Sequence, residues 1–217
     1  VHEGLRRMYV EQEPIYYYVT VMNENYQHPA MPEGAEEGIL KGMYLLRSLG
    51  EDSAKKVRLL GSGTILREVE AAAQTLHEEY GVSVEVWSVT SFTELAREAQ
   101  DVARYNLLHP EKDQQIPYVA QCLPGDAPVV ASTDYMKALP EQIRGCIAAP
   151  YHVLGTDGFG RSDTREELRH FFEVDRKFVT LAALAKLAEK QVVSTKDVKQ
   201  AREQLGIDVA KSNPRLS

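Results

Sequence analysis

A turn with two glycines, between a short apolar stretch and an amphipathic one, could bind an anion. Gly158 and Gly160 allow backbone angles that other residues resist, and Arg161 and Ser162 follow them in the chain. The start of a helix has free backbone N–H groups, which attract phosphate or carboxylate beside an arginine and a hydroxyl. The turn therefore predicts an anion site at Gly158, Gly160, Arg161 and Ser162, although such glycines more often serve a plain strand-to-helix corner.

A second polar group follows an apolar stretch near the start of the chain. Residues 15–22 are β-branched or aromatic and predict a buried strand. Open α/β sheets bind their ligands at the carboxyl ends of strands. The polar exit of this strand therefore predicts substrate-cleft residues, which are Asn23, Glu24, Asn25, Tyr26 and His28. A simple polar loop is the alternative.

Another glycine turn, between a predicted strand and a predicted helix, has the position of a dinucleotide-binding sequence motif. Gly61 and Gly63 follow a predicted strand and precede a predicted helix, but Leu66 occupies the place of the third glycine. A structural turn is the better interpretation. The sequence has no P-loop, no nucleophile elbow and no His-Glu-x-x-His helix, so neither catalytic residues nor metal ligands are predicted.

The composition excludes several classes of protein. Of the 217 residues, 43% are hydrophobic, which is enough for a core, and 32 acidic against 25 basic residues give a formal charge of −7. This acidic balance argues against a nucleic-acid partner. Cys122 and Cys146 indicate buried or free thiols of a cytoplasmic protein. No apolar run reaches the ~20 residues of a membrane span, so a membrane partner is not expected.

The N-terminal residues predict part of a helix. Leu5, Met8 and Tyr9 have helical spacing, and the chain lacks an initiator methionine. We therefore expect a piece of a longer protein. The prolines of the stretch QHPAMPEG then mark a connector, where we place a domain boundary.

From residue 42 onward, strands alternate with helices. Strands are predicted at residues 42–47, 57–60, 84–89, 128–132 and 152–155. Helices are predicted at residues 65–80, from Ser91, at 134–147 with a kink or split at Pro140, from Thr164 behind an Asp163 cap, at 178–189 and at 194–205. Because parallel strands need crossover helices, the pattern predicts a three-layer α/β/α domain with a mixed five-stranded sheet.

Six stretches together carry a resemblance to a known family. They are NENYQHPAMPEGAEEGILKG, LLGSGTILREVEAA, SVTSFTELAR, ASTDYMKALPEQIR, VLGTDGFGRSDTREELRHFFEVD and NPRLS. On these residues the chain resembles the C-terminal end of the homodimeric-type, decarboxylating component of bacterial pyruvate dehydrogenase complexes, within the wider transketolase family. The resemblance implies that the first strand, residues 42–47, is antiparallel.

The resemblance also implies that the catalytic equipment lies elsewhere. Thiamine diphosphate and Mg²⁺ of this family sit between an N-terminal and a central domain, and residues 15–22 resemble only the last strand of the central one. In transketolases the exit of that strand carries an arginine for a sugar phosphate, whereas this chain has Glu24, which fits a substrate such as pyruvate. The implied parent is a homodimer that decarboxylates pyruvate and passes the acetyl group to lipoamide of the dihydrolipoamide acetyltransferase component.

We therefore expect residues 1–32 to be the end of a preceding thiamine-enzyme domain with its connector, and residues 33–217 to be a C-terminal α/β domain. This domain would serve structure and assembly, and the chain alone is expected to be inactive and to bind neither thiamine diphosphate nor Mg²⁺. Two alternatives stay open. One is an anion- or nucleotide-binding regulatory module at the 158–162 turn, and the other is a Rossmann-type oxidoreductase.

Overall fold

The computed structural model describes residues 1–22, 25–26 and 29–217, which form two units. The units are Val1–Glu36 and Glu37–Ser217. The first unit begins with helix α1, His2–Leu5, which continues as a π-helical turn over Arg6–Val10. The helical start that the sequence predicts is therefore confirmed.

The predicted strand at residues 15–22 is wrong for this chain, because these residues form no strand. A strand needs the backbone of a neighbouring strand to satisfy its N–H and C=O groups, and no described segment is paired with this one. Most of its large side chains are exposed, and Tyr16 and Tyr18 are each 88% accessible.

The second unit is built on a mixed sheet of five strands in the described part of the chain. The strands are β1 (Met43–Leu49), β2 (Lys56–Ser62), β3 (Ser83–Val89), β4 (Val129–Ser132) and β5 (Tyr151–Leu154). Their order is β1-β3-β2-β4-β5, and β1 runs antiparallel to β3 while the other pairs are parallel. The predicted strands, their common sheet and the antiparallel first strand are confirmed.

Helices alternate with these strands and cover both faces of the sheet. They are α2 (Glu36–Lys41), α3 (Leu66–Tyr80), α4 (Phe92–Leu108), α5 (Tyr118–Cys122), α6 (Ala138–Glu141), α7 (Arg165–Phe171), α8 (Arg176–Glu189) and α9 (Thr195–Gln204). The N-terminus of α4 is capped as its sequence predicts, since the Ser91 hydroxyl accepts a hydrogen bond from the Glu94 N–H at 3.1 Å. Helix α3 ends at Gly81, which adopts the left-handed conformation with φ 62°.

Two apolar cores lie on opposite faces of the sheet. Val57 and Leu59 of β2 point into a core with α3 and α8, whereas Leu60 points into a core with α4 and α5. All three side chains are fully buried. This alternation is the period-2 pattern of a central strand covered on both faces, and it confirms the predicted three-layer architecture.

The predicted helix at residues 134–147 is wrong over most of its length. The chain forms only α6 and a 3₁₀ turn at Arg144–Cys146. Its early backbone groups bond instead to the segment after β5, because Tyr135 O accepts from Thr156 N at 2.9 Å and Lys137 N donates to Asp157 Oδ1 at 3.0 Å. Tertiary hydrogen bonds therefore replace the helical ones that sequence periodicity suggests.

Gly61 makes a close approach of helix and strand possible. A Cβ atom at this position would lie 2.8 Å from the Cα of Leu66, at the start of α3. The glycine therefore has a packing role at the junction of β2 with its helix. Such a contact leaves no space for a larger residue.

We predict that Gly61→Ala lowers the free energy of unfolding by about 2 kcal/mol, the usual cost of overpacking a core. The measurement is urea unfolding followed by circular dichroism. Gly145→Ala is the matched control, because a Cβ there meets no atom within 4 Å, and its effect should stay below about 0.5 kcal/mol. Equal losses in the two variants would contradict the packing role.

Candidate functional site

The four predicted anion-site residues lie together in the connection between β5 and α7. Gly158 has φ 102°, a conformation that favours glycine. A Cβ on Gly158 would lie 2.7 Å from Pro214 O and 3.1 Å from the Cα of Arg215. Pro214 is buried. The glycine therefore lets the C-terminal residues pack against this turn.

The other three residues of the turn are exposed. The Arg161 guanidinium carbon lies 5.2 Å from the ring centroid of Phe171, close enough for a cation–π contact. Gly160 has open space where a Cβ would stand. The structure thus brings Gly158, Gly160, Arg161 and Ser162 into one turn, and anion binding there stays a prediction.

The helix that follows this turn is capped by a different residue from the predicted one. Thr164 is the N-cap of α7, and its hydroxyl accepts from the Glu167 N–H at 3.3 Å. The Asp163 carboxylate instead accepts from the Thr164 N–H at 2.7 Å. The predicted Asp163 cap is therefore wrong by one residue, because Thr164 has the extended backbone that an N-cap requires.

The structure describes only part of the predicted substrate cleft. Asn25 is exposed and Tyr26 is half-buried, whereas Asn23, Glu24 and His28 lie outside the described residues. The cleft prediction assumes that these residues follow a strand, and residues 15–22 form none in this chain. Their role in a substrate cleft stays a prediction.

The carboxyl ends of β2 and β4 are joined by their own side chains. The buried Ser62 hydroxyl donates to Thr133 Oγ1 at 2.7 Å. Gly63 follows with φ 55°, and a Cβ there would lie 3.4 Å from an oxygen of Asp134. A dinucleotide would bind in a crevice at the carboxyl ends of these two strands. The side chains of Ser62, Thr133 and Asp134 pack together there instead. The Rossmann-type alternative has no support in this geometry.

A buried carboxylate that sequence reasoning missed connects three helices. Glu68 of α3 is only 5% exposed. Its carboxylate accepts from Arg176 Nε at 2.9 Å, from the Arg176 N–H at 3.2 Å and from Arg169 Nη1 at 3.2 Å. Arg169 belongs to α7 and Arg176 begins α8. One carboxylate therefore fixes the two helices after the 158–162 turn against α3.

The electrostatics of this cluster depend on both arginines. Burial by itself would raise the pKa of Glu68, but the hydrogen bonds and charge of Arg176, with the charge of Arg169, more than offset it, so the pKa lies below its ordinary value. Glu68 stays ionised at neutral pH. The sequence signal was a glutamate on the apolar stripe of α3 beside Val69, but its partners lie about a hundred residues further along the chain.

The described residues contain no group of three or more His, Cys, Asp or Glu side chains arranged to hold a metal ion. Both cysteines are free thiols and half-buried, as the sequence predicts. In the same part of the chain, none of the helices is long and apolar enough to cross a membrane.

Two family models match the chain in succession. The model described as "Transketolase-like TK C-terminal domain" matches residues 42–175, and the model described as "Pyruvate dehydrogenase E1 component middle domain" matches residues 1–29. A transketolase from Leishmania mexicana aligns structurally with a TM-score of 0.47 and 20% identity, over 71% of this chain and 19% of its own.

Curated relatives match along the whole chain. The pyruvate dehydrogenase E1 component of Escherichia coli K12 is 57% identical over 219 residues, which cover 100% of this chain and 24% of that protein. The pyruvate dehydrogenase E1 component of Cupriavidus necator is 56% identical over 216 residues, which cover 99% of this chain and 24% of that protein. The chain thus spans 24% of the length of these relatives.

We predict that Glu68→Gln lowers the free energy of unfolding by about 2 kcal/mol at pH 7, because it leaves two arginines without their carboxylate partner. The folded-state pKa of Glu68 is depressed, so its charge stabilises the fold above the ordinary glutamate pKa. This contribution is lost as pH falls through the folded-state value. Urea unfolding of both proteins should therefore show a difference that shrinks below about pH 4.

Glu141→Gln is the control for this cluster, since Glu141 pairs with Arg144 at the surface. Its cost should stay below about 0.5 kcal/mol. A Glu68→Gln effect that is the same at pH 3 and pH 7 would show that charge is not the cause.

Proposed function

The chain belongs to the transketolase-like TK C-terminal domain family, and we propose that it serves as the C-terminal structural domain of a pyruvate dehydrogenase E1 component. The observation that carries the proposal is the 57% identity with the Escherichia coli E1 component over the entire chain. The parent enzyme would decarboxylate pyruvate on thiamine diphosphate with Mg²⁺ and pass the acetyl group to lipoamide.

We propose the domain division at residues 32 and 33. The family match that ends at residue 29, the one that begins at residue 42 and the division into two compact units at Glu36 all support a boundary in this region. Residues 1–32 would belong to the preceding thiamine-enzyme domain and connector, and residues 33–217 would form the C-terminal α/β domain.

The described residues do not fit thiamine diphosphate and Mg²⁺. Mg²⁺ takes oxygen ligands in octahedral geometry, and the described part of the chain has no cluster of carboxylates that could supply them. Near the glycine turn, the Asp157 and Asp163 carboxylates repel a diphosphate. We therefore derive no catalytic step within this chain, and the cofactor sites of the parent would lie outside it.

The contribution of this domain to the parent would be scaffolding. The doubly covered sheet is rigid because both faces are packed, and the Glu68 cluster joins α3 to α7 and α8. Such a body can hold a dimer contact and shape the entrance to an active site built elsewhere. We propose that the parent is a cytoplasmic homodimer whose partner is the dihydrolipoamide acetyltransferase component.

Two groups of residues keep their predicted roles as proposals. We propose that Asn23, Glu24, Asn25, Tyr26 and His28 line the substrate cleft of the parent. The turn with Gly158, Gly160, Arg161 and Ser162 would bind an anion, and the exposure of the Arg161 side chain supports this.

We predict that the chain alone binds no thiamine diphosphate and consumes no pyruvate. Isothermal titration with thiamine diphosphate and Mg²⁺ should show only the heat of dilution, because the described residues offer no ligand set for the metal. Titration with inorganic phosphate, for wild type and Arg161→Ala, separates a simple anion site from a cofactor site. Saturable cofactor binding that Arg161→Ala leaves unchanged would contradict the scaffolding role.

A further inference from the structure

Residues 208–217 form a segment, the strap, that lies on the second unit and is largely surrounded by solvent. The structure describes all of these residues, and all are exposed except Lys211, which is half-buried, and Pro214, which is buried. The backbone–backbone hydrogen bonds described for residues 208–217 join the strap only to itself. Judged by burial, the strap is therefore attached to the unit at Lys211 and Pro214.

The first attachment is an ammonium group at the end of α7. Lys211 Nζ donates to Phe171 O at 2.6 Å and to Glu173 Oε1 at 3.3 Å, and the Lys211 side chain is only 15% exposed. Phe171 O is one of the last carbonyl groups of the helix, which have no partner inside it, and a cation suits that end of the helix dipole. Lys211 thus caps α7 although it lies 40 residues further along the chain than Phe171.

The same ammonium group binds a residue with an unfavourable backbone conformation. Glu173 follows α7 with φ 62°, in the left-handed region that glycine usually occupies after a helix. A residue with a side chain adopts this conformation only at a cost in free energy. The contact of the Glu173 carboxylate with Lys211 offsets part of that cost, so the end of α7 should loosen when Lys211 leaves.

The second attachment lies at the glycine turn. Pro214 O would lie 2.7 Å from a Cβ atom on Gly158, so the strap touches the backbone of the turn directly. The ring of Phe171 provides a further link between strap and turn. Lys211 Nζ lies 5.3 Å from its centroid and the Arg161 guanidinium carbon 5.2 Å from it. Strap, ring and turn thus form one continuous set of contacts.

The two attachments are close enough in sequence to depend on each other. Only Ser212 and Asn213 separate Lys211 from Pro214, and both are exposed. If one attachment is lost, a single remaining contact must order a segment that otherwise lies in water. The conformational entropy of the chain opposes that ordering. The loss of one attachment should therefore release the other.

We infer that residues 208–217 open and close as one unit over the 158–162 turn, with the Lys211 ammonium group holding the strap closed. Opening removes the cap of α7 and uncovers Gly158, so the order of the turn depends on the strap. The opening stays local, because Glu68 keeps α7 and α8 bound to α3. The inference rests on contacts inside the second unit and is independent of the proposed function.

The test is whether the two attachments are energetically coupled, measured by urea unfolding of the full 217-residue chain. Lys211→Met keeps an apolar side chain beside Phe171 and removes the charge. It should raise the equilibrium constant for unfolding about tenfold in wild type, the loss expected for a hydrogen bond to a charged group. In the Gly158→Ala background the same change should have less than about a twofold effect, because the strap is already open.

Two variants are matched controls. Gly160→Ala alters the same turn, but a Cβ on Gly160 meets no atom within 4 Å, so Lys211→Met should keep its effect in this background. Lys199 of α9 is 68% exposed and lies 3.9 Å from Glu203, so Lys199→Met should change the unfolding constant less than about twofold. An effect of Lys211→Met that is equal in wild type and Gly158→Ala, or no larger than that of Lys199→Met, would overturn the inference.

Hydrogen exchange of the same proteins locates the opening. The N–H groups of Glu173 and Val174 bond to carbonyl groups of α7 at the end that Lys211 caps. Gly158→Ala should speed up their exchange by a larger factor than that of β2, whose N–H groups open only with the whole domain. Gly160→Ala should leave both unchanged. Equal factors at the end of α7 and in β2 would contradict a strap that opens locally.

Discussion

The central position of β2 is the constraint on which the rest of the second unit depends. This strand pairs in parallel with β3 on one side and β4 on the other, and its faces point into two separate cores. Its buried arginine, Arg58, must therefore be paired, and Arg58 Nε donates to Glu85 on the neighbouring strand at 2.8 Å. Its last residues must be small, since Gly61 lies under the first turn of α3. Strand β2 thus determines which strands are neighbours, contributes to both cores and positions the start of α3.

The Glu68 carboxylate extends this constraint beyond the sheet. Helix α3 is held on β2 by Gly61 and the apolar stripe around Val69, and Glu68 of the same helix binds Arg169 and Arg176. The segment after β5 is therefore tied to the centre of the domain at two helices. The C-terminal residues then close on this segment where Pro214 meets Gly158. The geometry of the glycine turn follows from these contacts, so its conformation needs no ligand.

The sequence predicts the regular elements well because each depends on local pattern. A few neighbouring residues are enough to predict each of the five strands, the apolar stripe of α3, its C-terminal end at Gly81 and the N-cap at Ser91. The failures have a common physical cause. Residues 134–147 have helical periodicity but bond to a segment after β5. Residues 15–22 have strand composition, but no strand in the described part of the chain pairs with them. The arginine partners of Glu68 could not be predicted from the sequence either. A charged residue on an apolar stripe indicates that the residue is buried, but it does not indicate which arginine pairs with it. The assignment to a family rested on long stretches of resemblance and on no single motif, which suits a domain whose proposed role is structural.

A domain that serves structure, as proposed for this chain, should be interchangeable with its counterpart in a related enzyme. The most direct measurement is pyruvate decarboxylation by the Escherichia coli pyruvate dehydrogenase E1 component after its matching 24% has been replaced by this chain. We expect a folded hybrid with thiamine diphosphate-dependent activity within about tenfold of the parent, because the chain is 57% identical to the part it replaces and the proposed role of that part is structural. A hybrid that folds and binds the cofactor but does not decarboxylate pyruvate would contradict the proposed structural role.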